Sequence, residues 1–418
     1  MKRIAVLLLG AFFLLGPNIV VAQGEGTAGD RKHDPTTLEP RLGTKIYQSA
    51  DEMFKVWVDS RLQIDAAMYF ENKNPLSNGT IMRRATFALK SVLWKDWQME
   101  IDMDFAENAL DARDMWIRYN FRKVNTSLTV GNFKEPFGLE RLGSSRLLTF
   151  MERAMVSNAF PLGRRMGLAA RYWTNYGQLT LGVFGHEIGT RVDKGTLDEG
   201  FSTNIRISVA PINEKGKTLH IGAAASYKTP DVVPDLATNT IELKARVETY
   251  VFDPKPLHTG DISDVNYYTR LGGELGGVFG PFYFQTELQA TQVKRWYGKP
   301  AGNFLGGYGT ISYMLTGESR EYFTDEGEFG EIDDVKGGWG ALEVAARYSV
   351  LNLNDAAAAI MGGKGNQLML GLNWYPNNNL KIQFNYSAVV LDNNATSKGR
   401  MIGGDSFSFI QTRFQAVL

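Results

Sequence analysis

A 31-residue segment, Lys134 to Arg164, combines basic side chains with an unusually apolar composition for a surface loop. Its basic side chains could bind anions, because guanidinium and ammonium groups donate charge-assisted hydrogen bonds to phosphate oxygens. A loop of this length and composition is either functional or docked onto another part of the protein. The basic residues of the segment are Lys134, Arg141, Arg146, Arg153 and Arg164, set against Glu135, Glu140 and Glu152.

The elements that must position these residues are indicated by residues 54–70, where charged and apolar side chains alternate. Lys55, Asp59, Arg61 and Asp65 fall on odd positions, while the even positions are mostly apolar. Successive side chains of a strand point to opposite faces, so this ribbon has a charged face and an apolar face. Ordinary strands have roughly 5 to 6 residues, whereas a strand that crosses a bilayer needs roughly 9 to 11 residues and further residues that extend into the headgroup regions. The pattern therefore predicts the wall of a membrane barrel.

The same alternation recurs along the chain and predicts sixteen strands. Single-chain bacterial barrels have even strand counts, so Ile241 to Thr249, which also alternates, is assigned to a long external loop. About sixteen strands enclose a lumen wide enough for water. We therefore predict an all-β fold, a transmembrane antiparallel β-barrel of about 16 strands with an inward-folded third external loop. The predicted strands span 54–70, 81–93, 97–105, 111–121, 127–133, 165–173, 178–186, 201–210, 218–228, 265–278, 282–293, 303–316, 338–350, 366–375, 380–391 and 406–418.

The connections between these strands alternate in length, which is typical of an outer-membrane barrel. Counting from the first hairpin, every second connection is long, and most of the others are short. The acidic segment 317–337 is an exception, because it is long on the short-turn side. It lacks the ligand spacing of a calcium-binding loop, so a solvated turn is favoured over a calcium site.

The N-terminus and the composition bound the location and the class of function. A basic start, an apolar run over 4–15 and small residues before Gln23 predict a signal peptide over residues 1–22, with a retained anchor as the alternative. Residues 23–53 are polar and strand-poor, which predicts a flexible periplasmic lead before a β-barrel domain at 54–418. With 45 basic and 45 acidic residues, the chain lacks the basic excess of a nucleic-acid-binding protein. It has no cysteine, and we expect neither a metal nor a cofactor.

Charge at the lumen-facing positions is the basis of the functional prediction. The loop and the lumen-facing strand positions together carry 17 basic and 12 acidic residues. Rings of Arg and Lys form anion pores, so this excess favours anion passage; a balanced lumen of paired charges is the alternative. For the loop, inward folding is favoured over an external lid, because its apolar side can pack on the wall while its polar side narrows the path. The candidate site residues are the lumen-facing Arg61, Arg84 and Lys90 with the loop residues Lys134, Arg141, Arg146 and Arg153.

Several motifs resemble the phosphate-selective porin O and P family over about Phe54 to Leu418. The most specific block leads into the long loop as Gly131-Asn132-Phe133-Lys134-Glu135-Pro136-Phe137-Gly138-Leu139-Glu140. Further motifs are Arg83-Arg84-Ala85, Ser144-Ser145, Phe150-Met151-Glu152-Arg153, Gly163-Arg164-Arg165, Leu315-Thr316-Gly317-Glu318, Ala345-Ala346-Arg347-Tyr348-Ser349 and Asn373-Trp374-Tyr375.

This resemblance implies a trimeric channel of the bacterial outer membrane whose third loop and lumenal Arg and Lys residues bind and pass anions such as phosphate. Carried over by motif, Arg83, Arg84 and Lys134 belong to the constriction. Arg83 has the wrong parity for a regular strand, so it reaches the lumen only if a bulge or the strand end redirects it. We predict a porin that passes small anions by passive diffusion, with outer-membrane lipid, anionic solutes and two further copies of the chain as partners.

Two other classes of protein were weighed against a porin. A structural or adhesive barrel, with long loops that bind a partner, is the principal alternative. An outer-membrane hydrolase is disfavoured, because there is no Gly-x-Ser-x-Gly elbow and no pairing of a nucleophile with a base is indicated. The only histidines are His33, His186, His220 and His258.

Overall fold

The computed structural model describes residues 38–70, 73–106, 110–161, 163–188, 199–231, 239–332, 335 and 338–418. The predicted signal peptide, residues 1–22, and the lead as far as residue 37 lie outside the described residues.

A long antiparallel sheet begins with a short strand, β1 (Thr44–Gln48), and continues as a closed barrel. The sixteen wall strands are β2 (Phe54–Phe70), β3 (Gly79–Leu93), β4 (Trp97–Asp104), β5 (Asp111–Phe121), β6 (Thr126–Lys134), β7 (Arg164–Thr174), β8 (Gly177–Phe184), β9 (Ser202–Glu214), β10 (Lys217–Lys228), β13 (Val265–Phe279), β14 (Phe282–Arg295), β15 (Gly302–Met314), β18 (Ala341–Asp355), β19 (Ile360–Asn377), β20 (Leu380–Leu391) and β21 (Ser406–Val417). The barrel closes because β2 pairs with both β3 and β21, which leaves the ring without a free edge.

Each predicted strand corresponds to one wall strand, but some connections are shorter than predicted. The connection between β18 and β19 was expected to be long, and it is a tight 3-10 turn over Ala356–Ala358. Here the expectation is wrong, because the pairing of β18 with β19 shifts register between Asn352 and Asn354 and so interrupts the two-residue period. Likewise, β9 extends to Glu214 and is joined to β10 by a short turn.

The two faces of the wall differ as the alternation predicts. On neighbouring strands, Leu271 and Leu288 are 61% and 65% exposed, while Arg270 and Glu287 are each 1% exposed. The exposed face is apolar, as lipid requires, and the polar face is turned inward and covered. Ionised groups at mid-bilayer cost about 2 to 4 kcal/mol on the lipid face, which explains this sorting.

Two small ribbons lie outside the wall. The first joins β11 (Lys244–Ala245) to β12 (Leu257–His258), so Ile241 to Thr249 belongs to a connection and not to the barrel, as predicted. The second joins β16 (Arg320–Phe323) to β17 (Glu328–Ile332) within the acidic segment 317–337. The prediction of a solvated turn there is wrong, because Phe323 and Phe329 are each only 8% exposed and anchor a folded hairpin. No helix among the described residues is long and apolar enough to cross a membrane.

The predicted lead, residues 23–53, contains a strand that the sequence analysis did not place. Within its described part, β1 pairs antiparallel with β2, for example Thr44 with Val58 and Gln48 with Lys55. β21 covers β2 only from Arg61 onward, so β1 continues the hydrogen bonding of β2 beyond the end of β21.

The largest apolar cluster joins the two longest connections to the wall. Met155 and Phe160 come from the connection between β6 and β7, and Val247 and Leu257 come from the connection between β10 and β13. They pack with wall residues that include Tyr69, Phe304, Leu351 and Phe409. The wall residues of this cluster lie on β2, β13 to β15 and β18 to β21.

Candidate functional site

A cavity of about 1330 Å³ lies along the inner side of β2 to β8. At one end its lining includes Asn378, Asn379 and Leu418, which belong to the short-turn side of the barrel. At the other end the lining includes Glu187 and Ile188, which follow β8 on the long-loop side. One cavity therefore touches both ends of the barrel.

The connection between β6 and β7, residues 135–163, is bonded to strands far from it in sequence. Arg413 of β21 binds Asp65 at 2.7 Å and Glu152 of the connection at 2.7 Å. Arg347 of β18 binds Glu140 of the connection at 2.5 Å. Phe150 is fully buried in a cluster with Ala345 and Met369. These partners lie on the covered face of the wall strands.

The connection between β10 and β13 supports the first one through Glu248. One carboxylate oxygen of Glu248 lies 3.2 Å from a guanidinium nitrogen of Arg347. The other accepts hydrogen bonds from Ser349 and from the Met155 main-chain nitrogen, the latter at 3.2 Å. Burial, together with nearby Glu140, raises the pKa of Glu248 in spite of Arg347. Glu248 thus ties both connections to one point of the wall.

The Arg83-Arg84 pair lies at a bulge in β3. Gln63 pairs with Arg84 and Ile64 pairs with Met82, so Arg83 is the extra residue. This is the bulge that its parity required, and it turns both side chains to the covered face. Arg83 binds Glu152 at 2.8 and 3.1 Å and lies 3.5 Å from the centre of the Tyr250 ring. The neighbouring Arg84 donates to Gln63 at 2.6 Å.

Three basic side chains gather at the turn over residues 142–144. Lys134 Nζ donates to the carbonyl oxygens of Leu142 and Gly143, the latter at 3.2 Å, and Arg153 donates to the same Gly143 oxygen at 2.7 Å. Arg61 lies 3.5 Å from the hydroxyl of Ser144. None of the three cations has an ion pair with a carboxylate in the described part of the chain.

A glycine three residues before Lys134 helps to position that lysine. Gly131 has a φ of +133°, and a Cβ there would overlap the main-chain oxygen of Met115 on β5. This conformation lets β6 lie close against β5 just before the chain leaves the wall at Lys134.

Two guanidinium groups of the loop, those of Arg153 and Arg141, are held close to other cations. Burial and the adjacent guanidinium of Arg141 lower the pKa of Arg153 to about 10. Burial, followed by Arg164, also lowers the pKa of Arg141, which has no ion pair among the described residues. Like charges gathered in a partly buried site repel one another, and an anion placed among them would reduce that repulsion.

Lys90 and Arg146, in contrast, share a carboxylate. Lys90 lies 2.6 Å and Arg146 lies 3.2 Å from the two oxygens of Asp59, and Arg146 also binds Glu331 at 3.0 Å. All eight candidate residues line the same cavity, but these two contribute less uncompensated charge.

The lining of the cavity contains basic and acidic side chains in equal number, so the expected excess of cations is not seen by count. Most of the carboxylates are paired, as in Asp104 with Arg113 at 3.0 Å. Within the described residues, the lining cations without an ion pair are Arg61, Arg118, Lys134, Arg141 and Arg153, and the carboxylates without one include Glu100, Asp111 and Glu328.

The cavity is also lined by Arg113, Tyr250 and Arg41, which were not among the residues predicted from the sequence. Arg113 falls on the apolar parity of β5, and a register shift opposite Ile101 and Met103 turns it inward. A basic residue at a position that should face lipid was the available indication of a register shift, as it was for Arg83. Nothing in the local pattern marks Tyr250 or Arg41.

A closed sixteen-stranded barrel with an apolar outer face and a charged cavity that reaches both ends is the structure of an outer-membrane porin. The chain belongs to the phosphate-selective porin O and P family, whose sequence model matches residues 56–418. The protein is accordingly a porin of the bacterial outer membrane.

Two relatives extend over most of the chain. Porin O of Pseudomonas aeruginosa is 26% identical over 417 residues, covering 88% of this chain and 90% of that protein. An uncharacterized protein of Caulobacter vibrioides is 29% identical over 360 residues, covering 82% of this chain and 70% of that protein.

Solved structures share the fold. The trimer form of OmpT from Vibrio cholerae has a TM-score of 0.54 at 10% identity, covering 87% of this chain and 99% of that one. The anion-selective porin from Comamonas acidovorans has a TM-score of 0.52 at 15% identity, covering 87% and 100%.

Proposed function

We propose that this porin passes small anions, phosphate or similar, by passive diffusion through a water-filled path narrowed by the loop 134–164. The observation that carries the proposal is the group of Lys134, Arg153 and Arg61 around one turn, without carboxylate partners in the described chain. The anion selectivity named for the Comamonas porin is consistent with this proposal.

The contacts of the loop support its proposed inward position. Glu140 and Glu152 pair with Arg347 and Arg413 of the wall, and Phe150 is buried against the same side. An external lid would leave these wall cations without the loop carboxylates, and a buried charge that loses its partner is costly, about 3 to 5 kcal/mol.

The mechanism is electrostatic and needs no energy source. An anion entering the cavity exchanges part of its hydration for ammonium and guanidinium donors, which favour phosphate oxygens. The donors beside the turn, Lys134 and Arg153, also donate to the main-chain oxygen of Gly143. These hydrogen bonds fix the positions of both side chains when no anion is bound. Binding must remain weak enough for the ion to leave.

Phosphate provides the direct test of solute preference. We expect that phosphate added to chloride solution reduces the current through the purified protein in a planar bilayer, because both anions compete for the same donors. The same addition of sodium perchlorate at equal ionic strength controls for screening. A chloride current that phosphate leaves unchanged would contradict the preference for phosphate.

We also propose a homotrimer embedded in outer-membrane lipid. The trimer form of the Vibrio OmpT structure supports this assembly. Native mass measurement of the detergent-solubilised protein should give three chains, and a single chain would contradict it.

A further inference from the structure

The segment before the barrel lies along the short-turn end of the cavity. Its main chain is fixed by hydrogen bonds from the wall, at 2.7 Å from Gln98 to the Leu38 oxygen and at 3.3 Å from Lys90 to the Leu42 oxygen. Leu38 packs with the buried Trp57 and with Val92. Residues 38–44 consequently form part of the cavity lining.

Arg41 connects this segment to the acidic hairpin of β16 and β17. Its two terminal nitrogens lie 3.0 Å from Asp325 and 2.9 Å from Glu326, at the tip of the hairpin. The centre of its guanidinium group lies 3.6 Å from the centre of the Phe323 ring. One side chain therefore contacts two carboxylates and an aromatic ring of the same hairpin.

The hairpin brings a concentration of negative charge to this end of the cavity. Its carboxylates at Glu321, Asp325, Glu326, Glu328 and Glu331 all line the space. Burial opposes the ionisation of Glu326, but Arg41 and Arg171 hold its pKa below the usual range. The carboxylate is ionised at neutral pH, so its charge has to be compensated if anions are to pass.

We propose that Arg41 is a selectivity-determining residue of the pore, which masks Asp325 and Glu326 at the short-turn mouth. This inference rests on the proposed passage of anions and adds the N-terminal segment to the permeation path. Loss of the guanidinium would remove one positive charge from beside these two carboxylates, so the mouth would become more negative, repelling anions and attracting cations. Arg171 lies 3.5 Å from Glu326 and compensates for only part of this charge.

The test compares the full chain with Arg41→Gln in a planar bilayer, using the reversal potential in a potassium chloride gradient. We expect the permeability ratio of anions to cations to fall about fivefold, the factor given by one unit charge at about 4 Å in water. Lys299→Gln is the matched control, because Lys299 pairs with Asp264 and neither of these residues lines the cavity. We expect this control to retain the original ratio.

The variant Arg41→Gln/Asp325→Asn/Glu326→Gln should regain the anion preference, because it also removes the two carboxylates that Arg41 compensates. If Arg41→Gln fails to assemble, Asp325→Asn/Glu326→Gln alone should raise the preference for anions. An unchanged ratio in Arg41→Gln, or in that double variant, would overturn the role of Arg41. A cation preference of the unsubstituted protein would instead overturn the proposed function, while a further shift in Arg41→Gln would still support the masking.

Discussion

Individual side chains in this cavity are distinguished by whether they have a carboxylate partner. Lys90 and Arg146 share Asp59, whereas Lys134 and Arg153 bond only to main-chain oxygens of the described loop. A paired cation presents little net charge to a passing ion, while an unpaired one attracts anions. Lys134 should therefore matter more for selectivity than Lys90.

Lys134→Gln should lower the permeability ratio of anions to cations about fivefold, since one unit charge at about 4 Å in water is worth about 1 kcal/mol. The reversal potential in a salt gradient measures the ratio. Lys299→Gln is the matched control, because Lys299 is 43% exposed, pairs with Asp264 and lies outside the cavity. Equal ratios in the two variants would remove Lys134 from the site.

The sequence allowed the candidate residues to be placed on the correct face but could not reveal their partners. Arg83 was expected to need a bulge to reach the covered face, and the bulge is present. Without the bulge, its guanidinium group would face lipid, which is energetically costly. The pairing of Asp59 with Arg146 joins residues from a strand and a distant loop. Such a contact depends on the path of the loop, which the local alternation does not specify.

At the scale of elements, two connections and one hairpin determine the shape of the cavity. Glu248 fixes the connection between β10 and β13 beside the loop 134–164, and both meet Arg347. The acidic hairpin lines the cavity on the short-turn side of the barrel. These elements have irregular sequences without a two-residue period, which is why the wall strands were predictable and the folding of the connections was not.

A cysteine placed at the turn of the loop tests whether that turn borders the path. The chain has no cysteine of its own, so Ser144→Cys would carry a single thiol. We expect a charged thiol reagent to reduce the current through Ser144→Cys, because Ser144 lines the cavity. Ser77→Cys, at an exposed position outside the lining, is the control. Modification of Ser144→Cys without a change of current would place the turn away from the path.

At the scale of the whole molecule, the barrel has an apolar outer surface and a polar covered face. The apolar cluster joins the two long connections to β2, β13 to β15 and β18 to β21, and the charged cavity lies along β2 to β8. The cavity has equal numbers of basic and acidic lining residues, so we expect its ion selectivity to depend on the arrangement of charges more than on their sum.

The reversal potential of the unsubstituted protein in a potassium chloride gradient tests this arrangement most directly. The three basic side chains near residues 142–144 have no carboxylate partner in the described chain. They should therefore admit chloride in preference to potassium. The measured potential should therefore lie on the chloride side of zero, and more strongly so at low ionic strength, where screening is weaker. A potential on the potassium side would contradict the account.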